Sequence, residues 1–166
     1  MAEDRFEDQD DLNRPPSFFP YDGDAPDMEE DIEPGEPVEC QVEAVFATHT
    51  DENIQRFVLL SDGRRKLPIV IGAFEASAIT MALEGLQADR PMTHDLLKNI
   101  IEKLDATVDR ILIDDMFNDT YYAKIWIVDG EDTYPIDSRP SDAIAVALRF
   151  NAPILVADGI LEANSQ

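Results

Sequence analysis

A single cysteine, Cys40, occurs in 166 residues, so no disulfide can form within the chain. With only two histidines beside it, the Cys/His spacing of a structural zinc site is also missing. Seven glycines are too few and too scattered for a phosphate-cradling glycine loop, and no Gly-x-Ser-x-Gly elbow occurs. No stretch approaches the roughly 20 apolar residues that a membrane-spanning helix needs. No apolar run follows Met1, so a cytoplasmic protein without a membrane partner is expected.

Positive charge is scarce as well. Thirteen Lys and Arg face 36 Asp and Glu, a formal net charge of −23. Residues 1–36 hold fourteen of those acids against two arginines, and six of the eleven prolines fall at or before Pro37. This composition predicts a disordered, acidic, Pro-rich arm over 1–36 and a folded domain over 37–166. Phe18, Phe19 and Tyr21 form the arm's one aromatic cluster, which reads as a docking motif or as a transient contact with the body. The body is acidic too, with 22 acids against 11 bases, of which only four are lysines. A field of that sign repels free nucleic acid at low salt and attracts cations or basic proteins. Few lysines among many aspartates is also what a high-salt cytoplasm favours, where a Debye length of about 3 Å removes most of the repulsion.

What is present is a regular alternation of short apolar runs. Val38 to Ala44, Arg56 to Leu60, Lys66 to Ile71, Val108 to Met116, Thr120 to Val128, Thr133 to Ile136 and Ile154 to Val156 read as strands. Ser61-Asp62-Gly63-Arg64 and Asp129-Gly130 read as hairpin turns. Helices are predicted over Ala73 to Leu86, apolar nearly all round, over His94 to Leu104, over Pro140 to Phe150, and as a last turn over Asp158 to Ala163. Sliding the chain by 67 residues lays Asp62-Gly63 on Asp129-Gly130, Pro68-Ile69 on Pro135-Ile136, Glu75-Ala76 on Asp142-Ala143 and Ala78 on Ala145. The expected architecture is therefore α+β: a mixed, largely antiparallel sheet with buried helices, built by duplication of a strand–turn–strand–helix unit. In such a duplication Glu75 and Asp142 take equivalent places in the first turns of two helices and can face one cleft.

Polar residues gather at those helix starts. In Gly72-Ala73-Phe74-Glu75-Ala76, Glu75 suits the helix dipole, which alone accounts for it, or serves a ligand that the glycine lets approach. In Arg90-Pro91-Met92-Thr93-His94-Asp95, Thr93 is the expected N-cap, and His94 beside a carboxylate fits a general base, a phosphate contact, a metal ligand or a plain surface histidine. In Asp137-Ser138-Arg139-Pro140-Ser141-Asp142, Pro140 suits a first helical turn and a serine can cap it, but two aspartates and an arginine exceed what capping requires. Two carboxylates across that turn can hold a hard divalent cation, and Arg139 can clamp a phosphate; an internal ion pair is the bland alternative. Asp114-Asp115 and Asn118-Asp119 read as a strand end and a polar hairpin loop.

Leu67-Pro68-Ile69-Val70-Ile71-Gly72 with Glu75-Ala76, then Arg90 to Leu97, Asp137 to Ala145, and Ala152-Pro153-Ile154 together resemble the bifunctional nuclease domain, in order and near-family spacing over roughly 38–163. The resemblance implies an α+β domain, found in bacteria, archaea and plants, whose plant members are credited with cutting both DNA and RNA. Joined to the candidate residues, it implies a nuclease with DNA or RNA as partner. Glu75, His94, Asp137 and Asp142 are then the expected catalytic groups, and Arg90, Thr93, Arg139 and Ser141 the expected substrate contacts. Glu75 and Asp142 are the expected ligands of an assisting Mg²⁺ or Mn²⁺. The alternative is a non-catalytic, oligomeric binding or regulatory module that offers the same polar pocket to an anion or a partner protein. In either case a homo-oligomer, a dimer, is expected.

Overall fold

The computed structural model describes residues 35–49 and 53–165. Among the described residues it has seven strands and four helices in the order β1 (Pro37–His49), β2 (Ile54–Ser61), β3 (Lys66–Ile71), α1 (Ala73–Leu83), α2 (Thr93–Lys103), β4 (Thr107–Phe117), β5 (Thr120–Asp129), β6 (Asp132–Ser138), α3 (Pro140–Phe150), β7 (Ile154–Ala157) and α4 (Asp158–Asn164). The expectations for the acidic arm, including its Phe18, Phe19 and Tyr21 cluster, fall on residues outside the described ones.

The strands form one mixed sheet in the order β3-β2-β1-β7-β4-β5-β6. Only β4 and β7 run parallel; the other neighbours are antiparallel. β1 joins the two sides: Pro37 to Cys40 pair with β7, and the register then shifts between Val42 and Ala44 where the strand runs along β2. On each side lies a three-stranded antiparallel meander, β1-β2-β3 or β4-β5-β6, and each meander leads into a helix. Short turns set this register. Asn118 and Asp119 both take positive φ, 48° and 56°, the primed turn that matches strand twist. In the β2–β3 turn Asp62 accepts main-chain hydrogen bonds from Arg64 (2.8 Å) and Arg65 (2.7 Å), and these, with the Arg65 side chain, hold its carboxyl down at about 2. Arg65 also reaches Asp158 at 2.9 Å, which ties that hairpin to α4.

The core lies between the sheet and the helices. Val58, Leu60, Leu67, Ile79, Ile111, Ile113, Ile144, Val156, Ile160 and Leu161 are essentially sealed from solvent. At about 1.5–3 kcal/mol for each large side chain buried, these few residues outweigh any polar contact in the fold. Residues 143–147 of α3 are all buried, because α3 packs against α1, α2, β4 and β5. The all-round apolar character of α1 suggests a helix buried on more than one side. Instead only Ala76 and Ile79 of α1 are buried, since it rests on β1, β2 and α3 along one side, and Phe74 is 88% exposed. Apolar composition reports what a helix can bury, and α3 is the one with neighbours around it.

The α1 helix stops at Leu83, three residues short of the expected Leu86, and α2 begins at Thr93 with Met92 as its N-cap. Thr93 is thus the first helical residue rather than the cap. Asp95 takes over the capping work, its Oδ2 accepting the Met92 main-chain N–H at 3.0 Å. Neither serine caps α3: Arg139 is its N-cap residue, Pro140 its first residue, and Ser138 Oγ donates to the Arg139 carbonyl. Asn151 closes α3 in the left-handed conformation at φ 52°. No helix among the described residues is long and apolar enough to cross a membrane.

Candidate functional site at three helix starts

Three helices begin close together, and a chain of hydrogen bonds links their first turns. Glu75 and Asp142 hold the same position, third residue of α1 and of α3. The guanidinium of Arg139 lies across both. Its Nη2 donates to Glu75 Oε1 at 3.0 Å and its Nε to Asp142 Oδ2 at 2.7 Å. The other oxygen of Asp142 meets His94 Nε2, from the first turn of α2, at 2.9 Å. Four of the expected site residues, Glu75, Arg139, Asp142 and His94, therefore converge from positions up to 67 residues apart in sequence.

The local sequence makes this possible. Pro140 fixes φ and turns the chain from β6 into α3, so Arg139 remains extended (φ −69°, ψ 144°) with its side chain free to reach back to Asp142. Gly72 serves Glu75 in another way. A Cβ at Gly72 would lie 2.2 Å from Glu75 Oε2, so the glycine leaves room for the carboxylate rather than for an unusual backbone, which here is ordinary at φ −75°.

Electrostatically the chain is tight. Burial works to raise the Asp142 carboxyl, but hydrogen bonds from Arg139 and then His94 outweigh it and hold the group below the usual carboxylate range. The same bond to Asp142, followed by that to Glu75, raises the already strong Arg139 guanidinium. His94 is 7% exposed, one of two buried polar or charged residues among the described ones; the other is Ser141. If Nε2 carries the proton donated to Asp142, Nδ1 is the basic nitrogen.

Ser141, second residue of α3, lines an open cleft of about 640 Å³ beside Arg139. The remaining expected residues lie apart from the chain. Asp137 is exposed on β6, in register with Lys124. Arg90 is exposed in the α1–α2 connection, and Thr93 is exposed at the start of α2. Cys40 is no rival nucleophile, since burial, then the charge of Asp62, pushes its thiol up to about 11.

Glu75 and Asp142 are also the residues expected to hold a divalent cation. Among the described residues no three His, Cys, Asp or Glu side chains are grouped as a metal site. The guanidinium takes the place between the two carboxylates, so Mg²⁺ or Mn²⁺ would have to displace Arg139 to reach both. As arranged, the donor set fits an arginine.

Sequence reasoning missed a second clip across the same three helices. Arg149 of α3, its side chain 8% exposed, donates from Nε to Asp95 Oδ1 of α2 at 2.6 Å. Its Nη1 donates to the carbonyls of Ala78 in α1 (3.2 Å) and Ala145 (2.8 Å). The one available signal is that Arg149, the only basic residue of α3, directly follows the apolar run Ala143 to Leu148.

An uncharacterized protein of Mycobacterium tuberculosis is 39% identical over 101 residues, covering 61% of this chain and 60% of its own length. Bifunctional nuclease 1 of Oryza sativa subsp. indica is 30% identical over 93 residues, covering 54% of this chain and 28% of its own. Bifunctional nuclease 2 of Arabidopsis thaliana is 28% identical over a stretch of the same length. The chain thus spans 60% of the mycobacterial relative and 28% of each of these plant relatives. The model of the bifunctional nuclease domain matches residues 58–166, a range that holds all four members of the helix-start chain, and the protein belongs to that family.

Proposed function

We propose that this protein hydrolyses phosphodiester bonds of DNA or RNA, using Glu75, Arg139, Asp142 and His94 as one unit. The observation that carries this reading is the unbroken hydrogen-bond chain from Glu75 through Arg139 and Asp142 to His94. In it, Asp142 orients the His94 ring and offsets the charge of an imidazolium. The imidazole takes the proton of an attacking water as the new P–O bond forms and returns it to the leaving sugar oxygen as the ester P–O bond breaks, a role worth about 10²–10⁴ in rate. Arg139 offsets negative charge that develops on the phosphoryl oxygens, and Glu75 keeps its fork in place.

The acidic body opposes substrate approach, and this gives the assay a signature. Cleavage should hold or rise between low and moderate salt, because screening removes repulsion; most nucleic-acid binders weaken steeply over that range. The direct test is cleavage of plasmid DNA and of single-stranded RNA by wild-type protein with EDTA, Mg²⁺ or Mn²⁺, across salt. Cleavage lost in His94→Ala supports the reading; cleavage in no condition, or undiminished in His94→Ala, sinks it. A rate that depends on Mg²⁺ or Mn²⁺ would mean that Arg139 gives way to a cation.

Gly72→Ala separates this role from folding. The new methyl forces the Glu75 carboxylate to move. At φ −75° alanine is unstrained and should hold or slightly raise stability, by up to about 1 kcal/mol. We expect the melting temperature to be kept while cleavage falls about tenfold, as Arg139 loses its anchor.

One observation favours assembly into a dimer: Leu96, Leu97, Ile100 and Leu104 stand exposed along and just beyond α2. A second copy is the partner proposed for that flank. Light scattering should give twice the monomer mass, and Ile100→Glu should halve it; a monomeric wild type refutes the dimer.

A further inference from the structure

The cleft beside Arg139 extends past what the proton-transfer chain uses. Its floor is Pro140 and Ser141 at the start of α3, and its walls include Val70 of β3 with Met116 and Tyr121 of the β4–β5 hairpin. At about 640 Å³ it is in the range of small-molecule sites, far too narrow for a double helix but ample for one base and its sugar.

Ser141 is one of the cleft's polar groups. The residue is 8% exposed, and its hydroxyl has no hydrogen-bond partner among the described residues. The hydroxyl keeps access to the cleft, where a ligand oxygen can take the place of water. It lies in the first turn of an eleven-residue helix, where the Asp142 and Ala143 N–H groups donate to the Arg139 carbonyl and Pro140 has no N–H, which leaves the Ser141 N–H beside its own hydroxyl. Arg139 reaches the same cleft and keeps Nη1 for a ligand, because Nε and Nη2 serve Asp142 and Glu75. The lining away from these donors combines Val70, Met116 and the Tyr121 ring with the polar side chains of Asp119 and Thr120. Donors for an anion at one end and a surface for a flat ring at the other match a nucleotide better than a free anion or an apolar ligand.

We propose that this cleft holds one unpaired nucleotide, its phosphate at Ser141 and Arg139 and its base against Val70, Met116 and Tyr121, so that the substrate class is single-stranded nucleic acid. This rests on the reading of the site as a nuclease and narrows it. An enzyme that seats one base in a cleft works on single strands or must first extrude that base from a duplex.

Binding of a 5′-nucleoside monophosphate to the full chain, followed by NMR or calorimetry, tests the cleft without any cleavage. We expect saturable binding at least about tenfold tighter than for inorganic phosphate or the free nucleoside, equivalent to about 1.4 kcal/mol. Ser141→Ala should weaken mononucleotide binding about fivefold or more with an unchanged melting temperature. Val70→Trp, at a residue 57% exposed, should crowd out the base and leave phosphate binding in place. Equal affinity for phosphate and mononucleotide, or binding indifferent to both cleft variants, overturns the proposal even if cleavage is present. Saturable, variant-sensitive binding by a protein that cleaves nothing would instead uphold the cleft and refute the nuclease reading.

Discussion

Asp142→Asn should reduce cleavage by two to four orders of magnitude while the protein stays folded. The amide keeps the shape of the carboxylate but cannot match the charge on Arg139 or stabilise a protonated His94, which the carboxylate contacts at 2.7 Å and 2.9 Å. The stability cost should be modest, about 1 kcal/mol, because Arg139 is 67% exposed and can turn to water. The pH dependence identifies the cause. The folded Asp142 carboxyl is held below its unfolded value of about 4, so its contribution is present above that value and is lost as pH falls through the folded one. The stability gap between wild type and Asp142→Asn, measured by denaturant melts, should thus be full at pH 7 and shrink below about pH 4. A gap that stays constant into acid would assign the loss to packing.

Arg149→Met carries the largest expected loss of stability. The substitution keeps the apolar stem but deletes three hydrogen bonds that join α1, α2 and α3. It removes the arginine donor from two helix carbonyls and from Asp95 Oδ1, while Asp95 Oδ2 keeps the Met92 N–H. Breaking a fully buried pair costs about 3–5 kcal/mol; Asp95 is 35% exposed and can take water, so about 2–3 kcal/mol is expected here. In a chain of this size that lowers the melting temperature by about 4–12 °C. Asp95 itself is held low first by its hydrogen bond with Arg149, so the wild type should lose this contribution below about pH 4. Arg149→Lys should recover little, since one ammonium cannot reach a carboxylate and two carbonyls in the same geometry. Calorimetry of the three proteins decides it: a melting point within a degree or two of wild type for Arg149→Met would show that the clip is idle.

The sequence made the strands and their turns legible, because alternation with period two survives in every strand that is buried on one face. It also made the meeting of Glu75 and Asp142 legible, because the offset of 67 residues assigns them equal places and both prove to be third residues of their helices. Their common partner was harder to read. Arg139 and Asp142 are three residues apart, so a local ion pair is a readable alternative to a phosphate clamp, but nothing in the sequence marks Glu75 as the second partner of the guanidinium. Arg149 and Asp95 were invisible for another reason. They are 54 residues apart, and nothing in local periodicity marks a pair that only tertiary packing creates. Thr93 looked like a cap because its chemistry allows it. Met92 holds that place because Asp95 can reach back to its N–H, a choice between neighbouring residues that propensity alone does not make.

The central claim is that Glu75, Arg139, Asp142 and His94 act as one unit in cleavage. A double-mutant cycle on single-turnover cleavage of a single-stranded oligonucleotide, using His94→Ala, Asp142→Asn and the pair, tests it most directly. Members of one catalytic unit are strongly non-additive. We expect each single variant to lose most of the rate and the double variant to lose scarcely more than either. Losses that multiply, or single variants that cleave at the wild-type rate, would contradict it.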